Sequence, residues 1–150
     1  MSDTFRWLPS YYFYHAVPLP DGSCTPGRLD PWAAAPRYGL DTLPLKGKSI
    51  LDVAAWSGGW SFYAESRGAT EVIALDRVAC RPQSGLTQAF DLIRTERRSS
   101  VLYKEGNVYD LWRLFPDKQF DVVFCFGLLY HLTDPLYALR NCIHAARSTI

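Results

Sequence analysis

Residues 51–76, LDVAAWSGGWSFYAESRGATEVIALD, are the part of this sequence that most constrains its fold. An apolar run carrying Asp52 leads into a turn with glycine, then a stretch with helical spacing, then a second apolar run that ends at Asp76. The two acids are 24 positions apart, which suits one strand–helix–strand unit. Buried apolar runs joined in this way predict two parallel strands with a right-handed crossover helix.

The same alternation continues along the chain. Apolar runs predict strands over 48–55, 70–76, 100–106 and 119–127. Helical spacing predicts helices over 59–68, 86–98 and 134–147, with a short helix or turn over 108–115. The apolar stripe of the last predicted helix is formed by Leu136, Leu139, Ile143 and Ala146. Strands that alternate with helices predict an α/β protein with a parallel sheet.

Composition and charge narrow the class of protein. The chain has 150 residues, 48% of them hydrophobic and 21% charged, which is enough for one domain with a core. A net charge of +1 gives no overall attraction to nucleic acid, and the basic cluster at Arg94, Arg97 and Arg98 is interpreted as a solvated helix end. None of the four cysteines forms a CxxC pair, so we expect no structural metal site.

The N-terminal region differs in composition from the rest. Residues 1–47 are rich in proline, glycine and aromatic residues, and we interpret them as an arm, with 48–150 as the cofactor-binding region. Open parallel sheets bind ligands in a crevice at the carboxyl ends of their strands. We expect residues 11–30 to fold over that crevice as a lid. No signal peptide or apolar run of membrane-spanning length is visible, and we expect a cytoplasmic protein that does not enter a membrane.

The turn after Asp52 constrains the kind of cofactor. Ala54 and Trp56 stand where a dinucleotide-binding turn would have glycine, and an indole is a poor neighbour for a pyrophosphate. S-adenosylmethionine has no phosphate. It needs a tight turn, which Gly58 can provide, and an acid for its ribose hydroxyls, which Asp76 can provide. An NAD-dependent oxidoreductase is the weaker alternative.

Motifs along most of the chain resemble a known family. Residues 50–144 resemble class I S-adenosylmethionine-dependent methyltransferases through ILDVAAWSGGW, ALD, GNVYDL and FDVVFCFGLLYHLTDPLYAL. The arm, FYHAVPLPDGSCTPGRLD, is similar to that of the tRNA wobble-uridine carboxymethyl/methoxy-transferase-like group, and tryptophans such as Trp56 and Trp60 suit its first motif. This resemblance implies a Rossmann-like parallel sheet of strand order 3-2-1-4, incomplete at its C-terminus.

The resemblance also implies a set of functional residues. S-adenosylmethionine would be the cofactor, and the acceptor would be a small molecule or tRNA. His131 and His15 are the candidate general bases, with Tyr130 near the methyl group, although a structural role for His131 is an equal alternative. The implied cofactor contacts are Asp52, Ala54, Trp56, Gly58, Asp76, Asn107, Val108, Gly127, Leu128 and Tyr14. Asp52 could instead only cap the following turn.

The end of the chain raises a second hypothesis. The sequence stops soon after the predicted last helix, so we expect the apolar strand DVVFCF to lie at an open sheet edge. Such an edge would be covered by a missing C-terminal segment or by a protein partner. The alternative function is therefore a non-catalytic interaction module that keeps the methyltransferase fold.

Overall fold

A computed structural model describes residues 13–77 and 86–149. Five parallel strands form one sheet in the order β3-β2-β1-β4-β5. The strands are β1 (Ser49–Val53), β2 (Glu71–Asp76), β3 (Leu102–Glu105), β4 (Phe120–Phe124) and β5 (Ala146–Thr149). The predicted α/β class and the predicted order 3-2-1-4 are confirmed.

Within the described ranges, five helices and three 3₁₀ turns precede or connect these strands. The helices are α1 (Pro31–Ala34), α2 (Gly59–Ser66), α3 (Leu86–Arg97), α4 (Leu111–Leu114) and α5 (Pro135–Ala145). The 3₁₀ turns are Ala35–Tyr38, Val108–Asp110 and Leu129–His131. Asp134 caps α5, because its carboxylate accepts a hydrogen bond from the Tyr137 amide at 2.9 Å and Pro135 suits the first turn. No helix within the described residues is both long and apolar enough to cross a membrane.

Alternate residues of the central strands build two separate cores. Ile50 on β1 packs into the core under α2 and α3, whereas the next residue, Leu51, packs into the core under α4 and α5. Both side chains are fully buried. Burying a leucine or isoleucine contributes about 1.5–3 kcal/mol, so the two faces of β1 anchor both layers.

The described part of the arm closes on itself through hydrogen bonds. The Leu29 amide donates to the Tyr14 carbonyl at 3.1 Å, which joins the two ends of a loop over residues 14–29. Inside the loop, the Thr25 hydroxyl donates to the His15 carbonyl at 2.8 Å and accepts from the Val17 amide at 2.9 Å. These bonds satisfy buried backbone groups without a regular helix or strand. Residues 11 and 12 of the predicted lid lie outside the described residues.

The open edge predicted for the fourth strand is wrong. β4 pairs in parallel with β5, with Phe120 opposite Ala146 and Val122 opposite Thr149. The predicted helix over 134–147 ran into this strand, because the backbone turns to extended geometry at Ala146, with φ of −91° and ψ of 136°. The apolar spacing continues across this change and therefore did not reveal it.

The apolar stripe of the predicted last helix is not the buried face of α5. Leu136 and Ile143 are exposed, at 76% and 53% of their surface. The buried face is instead formed by Ala138, Asn141, Cys142 and Ala145. Small side chains let α5 lie close to the sheet, and the Asn141 side-chain amide donates to the carbonyls of Val108 and Tyr109, both at 3.1 Å.

Candidate functional site

A cleft of about 780 Å³ lies at the carboxyl ends of the central strands. This is the edge at which open parallel sheets bind their ligands. The lining combines the arm, the turns after β1, β2, β3 and β4, and the start of α2. Its residues are Tyr14, His15, Leu29, Tyr38, Asp52, Val53, Ala54, Trp56, Trp60, Leu75, Asp76, Arg77, Gly106, Asn107, Val108, Tyr109, Phe126, Gly127, Leu128, Tyr130, His131, Leu132 and Thr133.

The turn after β1 has a left-handed backbone at two residues that are not glycine. Ala54 has φ of 63° and Trp56 has φ of 52°. This conformation costs a residue with a side chain about 1–2 kcal/mol. The Trp56 amide donates to Asp76 Oδ2 at 2.8 Å, so the acid at the end of β2 braces the strained turn. Ala54 and Trp56 thus stand at two positions where glycine would adopt the observed backbone without strain.

Asp52 is a buried acid at the floor of the cleft. Only 2% of its surface is exposed, and its Oδ2 accepts a hydrogen bond from the Ser61 hydroxyl at 2.6 Å. Burial raises the pKa of Asp52 to about 7, the nearby Asp76 adds to the increase, and the bond from Ser61 opposes it. Asp52 therefore links β1 to α2 instead of capping the turn, and it titrates near neutral pH.

Two buried polar atoms near the start of α2 lack a hydrogen-bond partner among the described residues. These atoms are His15 Nδ1 and Ser57 Oγ. The His15 ring packs against Gly59, where an added Cβ would lie 2.3 Å from the ring carbon Cγ. Burial lowers the pKa of His15 to about 4, so its imidazole is neutral at physiological pH. Buried polar groups are almost always paired, and the free amides at a helix N-terminus favour an anionic ligand group beside them.

The turn after β3 forms the opposite side of the cleft. The Gly106 amide donates to the Asp76 backbone carbonyl at 3.1 Å, which ties the ends of β2 and β3 together. Asn107 caps the following 3₁₀ turn, because its Oδ1 accepts from the Tyr109 amide at 3.1 Å. Val108 is buried and its carbonyl accepts from Asn141. The turn is thus held rigidly from two elements.

The turn after β4 carries the second candidate base. Gly127 has φ of 66°, which lets the chain leave the sheet sharply. Tyr130 and His131 follow on a 3₁₀ turn with their rings 4.2 Å apart, and both are exposed at the cleft. An exposed histidine can exchange a proton with solvent, whereas His15 is only 4% exposed although it also lines the cleft.

The cleft brings together nearly all of the residues that the sequence predicted. Gly58 is the exception, since it does not line the cleft. Its φ of 84° provides the predicted tight turn before α2, and an added Cβ would lie 2.8 Å from the Phe90 ring. Tyr38, Trp60 and Phe126 line the cleft but were missed as site residues. Nothing in the local pattern marks Tyr38, whereas Trp60 and Phe126 lie within the motifs that carry the resemblance.

A five-stranded parallel sheet with a ligand cleft at its carboxyl edge defines the class of Rossmann-like domains that bind nucleotide-type cofactors. The family model described as a methyltransferase domain matches residues 51–148. The chain therefore belongs to this methyltransferase domain family, as the motifs predicted.

Individual relatives and solved structures agree with this family. The tRNA U34 carboxymethyltransferase of Helicobacter pylori (strain Shi470) is 28% identical over 120 residues, which are 77% of this chain and 44% of the relative. The enzyme of the same name from Campylobacter hominis is 31% identical over 101 residues, 66% of this chain and 32% of the relative. The chain thus spans less than half the length of these relatives.

Solved structures share the fold at low sequence identity. An S-adenosylmethionine-dependent methyltransferase from Mesorhizobium loti matches with a TM-score of 0.58 at 20% identity, over 77% of this chain and 49% of that one. The PH0226 protein from Pyrococcus horikoshii OT3 matches with a TM-score of 0.60 at 22% identity, over 96% of this chain and 58% of that one.

Proposed function

We propose that this chain binds S-adenosylmethionine and that the protein transfers its methyl group to an acceptor. The observation that carries this proposal is the cleft in which Asp76, at the end of β2, faces the turn after β1. Membership of the methyltransferase domain family supports the same cofactor. The non-catalytic module remains the alternative, because Ala54 and Trp56 depart from the usual glycines.

The lining residues fit the chemical groups of this cofactor. Asp76 would accept hydrogen bonds from the ribose hydroxyls, since a carboxylate accepts several at once. Asn107 and Val108 would contact the adenine, with Gly127 and Leu128 along the adjoining wall. The contacts from Asp52, Ala54, Trp56 and Tyr14 would surround the methionine end.

The carboxylate of the amino-acid tail would bind near the start of α2. His15 Nδ1 and Ser57 Oγ are buried there without a partner in the described structure. A neutral imidazole can donate one hydrogen bond, and so can a hydroxyl. Their pairing with a carboxylate would remove the cost of leaving two buried polar atoms unsatisfied.

The chemistry of methyl transfer assigns different roles to the two histidines. The cofactor supplies an electrophilic methyl group bound to a sulfonium, so the protein mainly aligns the acceptor and excludes water. A base is needed where the acceptor loses a proton. His131 suits that role because it is exposed at the cleft. His15 is a poor base, because burial lowers its pKa to about 4.

We further propose that the transferred group is methyl and not carboxymethyl. The relatives named above are carboxymethyltransferases, and a carboxymethyl donor brings an extra carboxylate to the reacting end. Among the described lining residues, Arg77 is the one lysine or arginine, and it follows Asp76 at the ribose end. An additional carboxylate would therefore lack a cationic partner on the described cleft surface.

The relatives' names also suggest the acceptor. Because they are tRNA-modifying enzymes, we propose tRNA as the acceptor in preference to a small molecule, and hence action in the cytoplasm. This choice of acceptor does not affect the cofactor contacts.

Calorimetric titration with S-adenosylhomocysteine tests the proposal. We expect one site per chain, and at least a tenfold loss of affinity, about 1.4 kcal/mol, in Asp76→Asn. Asparagine can still accept from the Trp56 amide, so the turn is kept while the ribose loses its charged acceptor. Asp91→Asn on the surface of α3 is the matched control and should bind like the parent.

Three outcomes would contradict the proposal. Absence of binding by the parent protein would exclude the cofactor, and saturable binding of NADH would favour an oxidoreductase. Binding of S-adenosylhomocysteine without methyl transfer to any tRNA, by the longest natural form of the protein, would favour the non-catalytic module.

A further inference from the structure

Five aromatic rings form one continuous surface on the side of the cleft next to β4. Tyr14 contacts His15 with ring centroids 5.0 Å apart, and the His15 and Trp60 centroids are 6.5 Å apart. The Trp60 centroid is 6.2 Å from that of Tyr38 and 5.0 Å from that of Phe126. All five residues line the cleft, and we call this surface the aromatic wall.

The aromatic wall has a rigid base and an exposed rim. His15 and Trp60 are each only 4% exposed, so their rings are fixed by packing. Tyr14 and Tyr38 are 52% and 62% exposed, although they lie on a concave surface. Exposed aromatic rings that converge on a cleft are typical of a ligand surface.

The position of the wall separates it from the nucleoside end of the cleft. Phe126 follows β4, on one side of the central strand β1. Asp76 and Asn107 follow β2 and β3, on the other side. A nucleoside bound at Asp76, with its amino-acid tail at His15, would therefore leave the exposed rim of the aromatic wall to the second reactant.

The aromatic wall is uncharged, which suits a neutral planar ligand. It contains no carboxylate, lysine or arginine, and burial lowers the pKa of its one histidine to about 4. Apart from His15 Nδ1 at the buried base, which the proposed function assigns to the cofactor, an anionic group would lose water without gaining a cationic partner there. A planar ring would instead stack on the tyrosine faces, whatever its ring substituents.

We propose that the aromatic wall binds the methyl acceptor and that the acceptor presents a planar heteroaromatic ring, of the nucleobase class, which stacks on Tyr38 and Tyr14. This inference rests on the proposed function, since it names the acceptor class for the same cleft. The ring could belong to an unpaired base of an RNA or to a free nucleoside, and both sources share the stacking chemistry.

Binding of a short oligouridylate and of free uridine, each at saturating S-adenosylhomocysteine, tests the inference. We expect Tyr38→Leu to weaken binding of the ring-bearing ligand about tenfold, whereas Tyr38→Phe, which keeps the ring, stays within about twofold of the parent. Trp112→Leu, which removes an exposed ring on α4 outside the cleft, is the control and should not change binding. An oligonucleotide of the same length without bases should bind at least about tenfold more weakly than oligouridylate.

The possible outcomes distinguish an RNA acceptor from a free nucleoside, and they distinguish the acceptor proposal from the cofactor proposal. Saturation by uridine with the same sensitivity to Tyr38 identifies a small acceptor, and saturation by the oligonucleotide alone identifies an RNA. Equal binding by Tyr38→Leu and the parent, equal binding of the oligonucleotide without bases, or no binding of either ligand would overturn the inference. Affinity for S-adenosylhomocysteine is measured first, without acceptor, and should stay within about twofold of the parent in both Tyr38 variants. If the parent itself did not bind S-adenosylhomocysteine, the cofactor proposal would fail, and that failure is distinct from a failure of the acceptor proposal.

Discussion

At the scale of single residues, the turn after β1 combines strain with an unusual acid. Ala54 and Trp56 hold a backbone that glycine would adopt without cost, and Asp76 stabilises that backbone through the Trp56 amide. Strained residues of this kind persist where the surroundings hold them, and functional sites are common examples. Asp52 lies directly before this turn, in a place that favours its neutral form.

We predict that Asp52 makes folding stability fall as pH rises. Its pKa is about 7 in the folded protein against an ordinary 3.8, so the folded state holds this proton more strongly than the unfolded state. The stability from protonated Asp52 is complete below about pH 4 and is lost as pH rises through about 7. Asp52→Asn should therefore be more stable than the parent at pH 8, by roughly 2–4 kcal/mol, with a smaller advantage at pH 5.

Urea unfolding at both pH values measures this effect. Asparagine can still accept the hydrogen bond from Ser61, so the contact between β1 and α2 survives in the variant. The surface change Asp91→Asn should show no comparable dependence on pH. If Asp52→Asn were less stable than the parent at pH 8, the buried carboxylate would instead be stabilised by its surroundings.

At the scale of elements, the arm and α2 meet through one tight contact. The ring of His15 occupies the space that a side chain at residue 59 would need. The arm loop is closed by its own hydrogen bonds, so the backbone at His15 cannot move without disturbing the bonds to Thr25 and Leu29. The arm is thus fixed against the helix that starts at the cleft.

We predict that Gly59→Ala lowers the affinity for S-adenosylhomocysteine about tenfold through His15. The added Cβ would lie 2.3 Å from His15 Cγ, so the ring must shift. His15 Cβ would also lie 2.4 Å from the added Cβ, so the background that opens this space is His15→Gly, in which the same change should cost less than about twofold in affinity. Equal losses in both backgrounds, measured by calorimetry, would show that Gly59 acts independently of the arm.

A second ligand shows which cofactor group His15 contacts. Methylthioadenosine keeps the nucleoside but lacks the amino-acid tail. His15→Ala should weaken S-adenosylhomocysteine and leave methylthioadenosine within about twofold of the parent, because only the former has a carboxylate to pair. Weakening of both ligands would assign His15 a structural role in shaping the whole cleft.

At the scale of the whole molecule, stability should be greatest at the centre of the sheet. β1 has strand neighbours on both sides, and Ile50 and Leu51 are fully buried. β5 pairs only with β4 among the described strands, and their register is irregular between Phe120 and Val122. The central and edge strands therefore differ in how readily they open.

We predict that amide hydrogens of β1 exchange at least about 100-fold more slowly than those of β5. Native-state hydrogen exchange followed by NMR gives this comparison residue by residue, and β3 at the other edge serves as the internal reference. Exchange of β5 as slow as that of β1 would mean that further contacts protect this edge.

Much of the fold and of the cleft could be predicted from the sequence, because both follow from local pattern. Strand and helix periods alternate between residues 48 and 147, and such alternation leaves a parallel sheet as the simple solution. Asp52 and Asp76 are placed at strand ends by their spacing alone, and parallel strands bring those ends to one edge. The same reasoning places His131, which follows the fourth strand, at this edge, whereas Asn107 was predicted at the cleft by the resemblance to methyltransferases.

Only the tertiary structure decided which surfaces meet. The apolar stripe expected on α5 is exposed at Leu136 and Ile143, because small residues and Asn141 fit the sheet more closely. Tyr38 reaches the cleft through the packing of its turn against Trp60, a contact between residues 22 positions apart. Periodicity reports which residues are apolar within an element, whereas close packing depends on the shape of a neighbour that is distant in the chain.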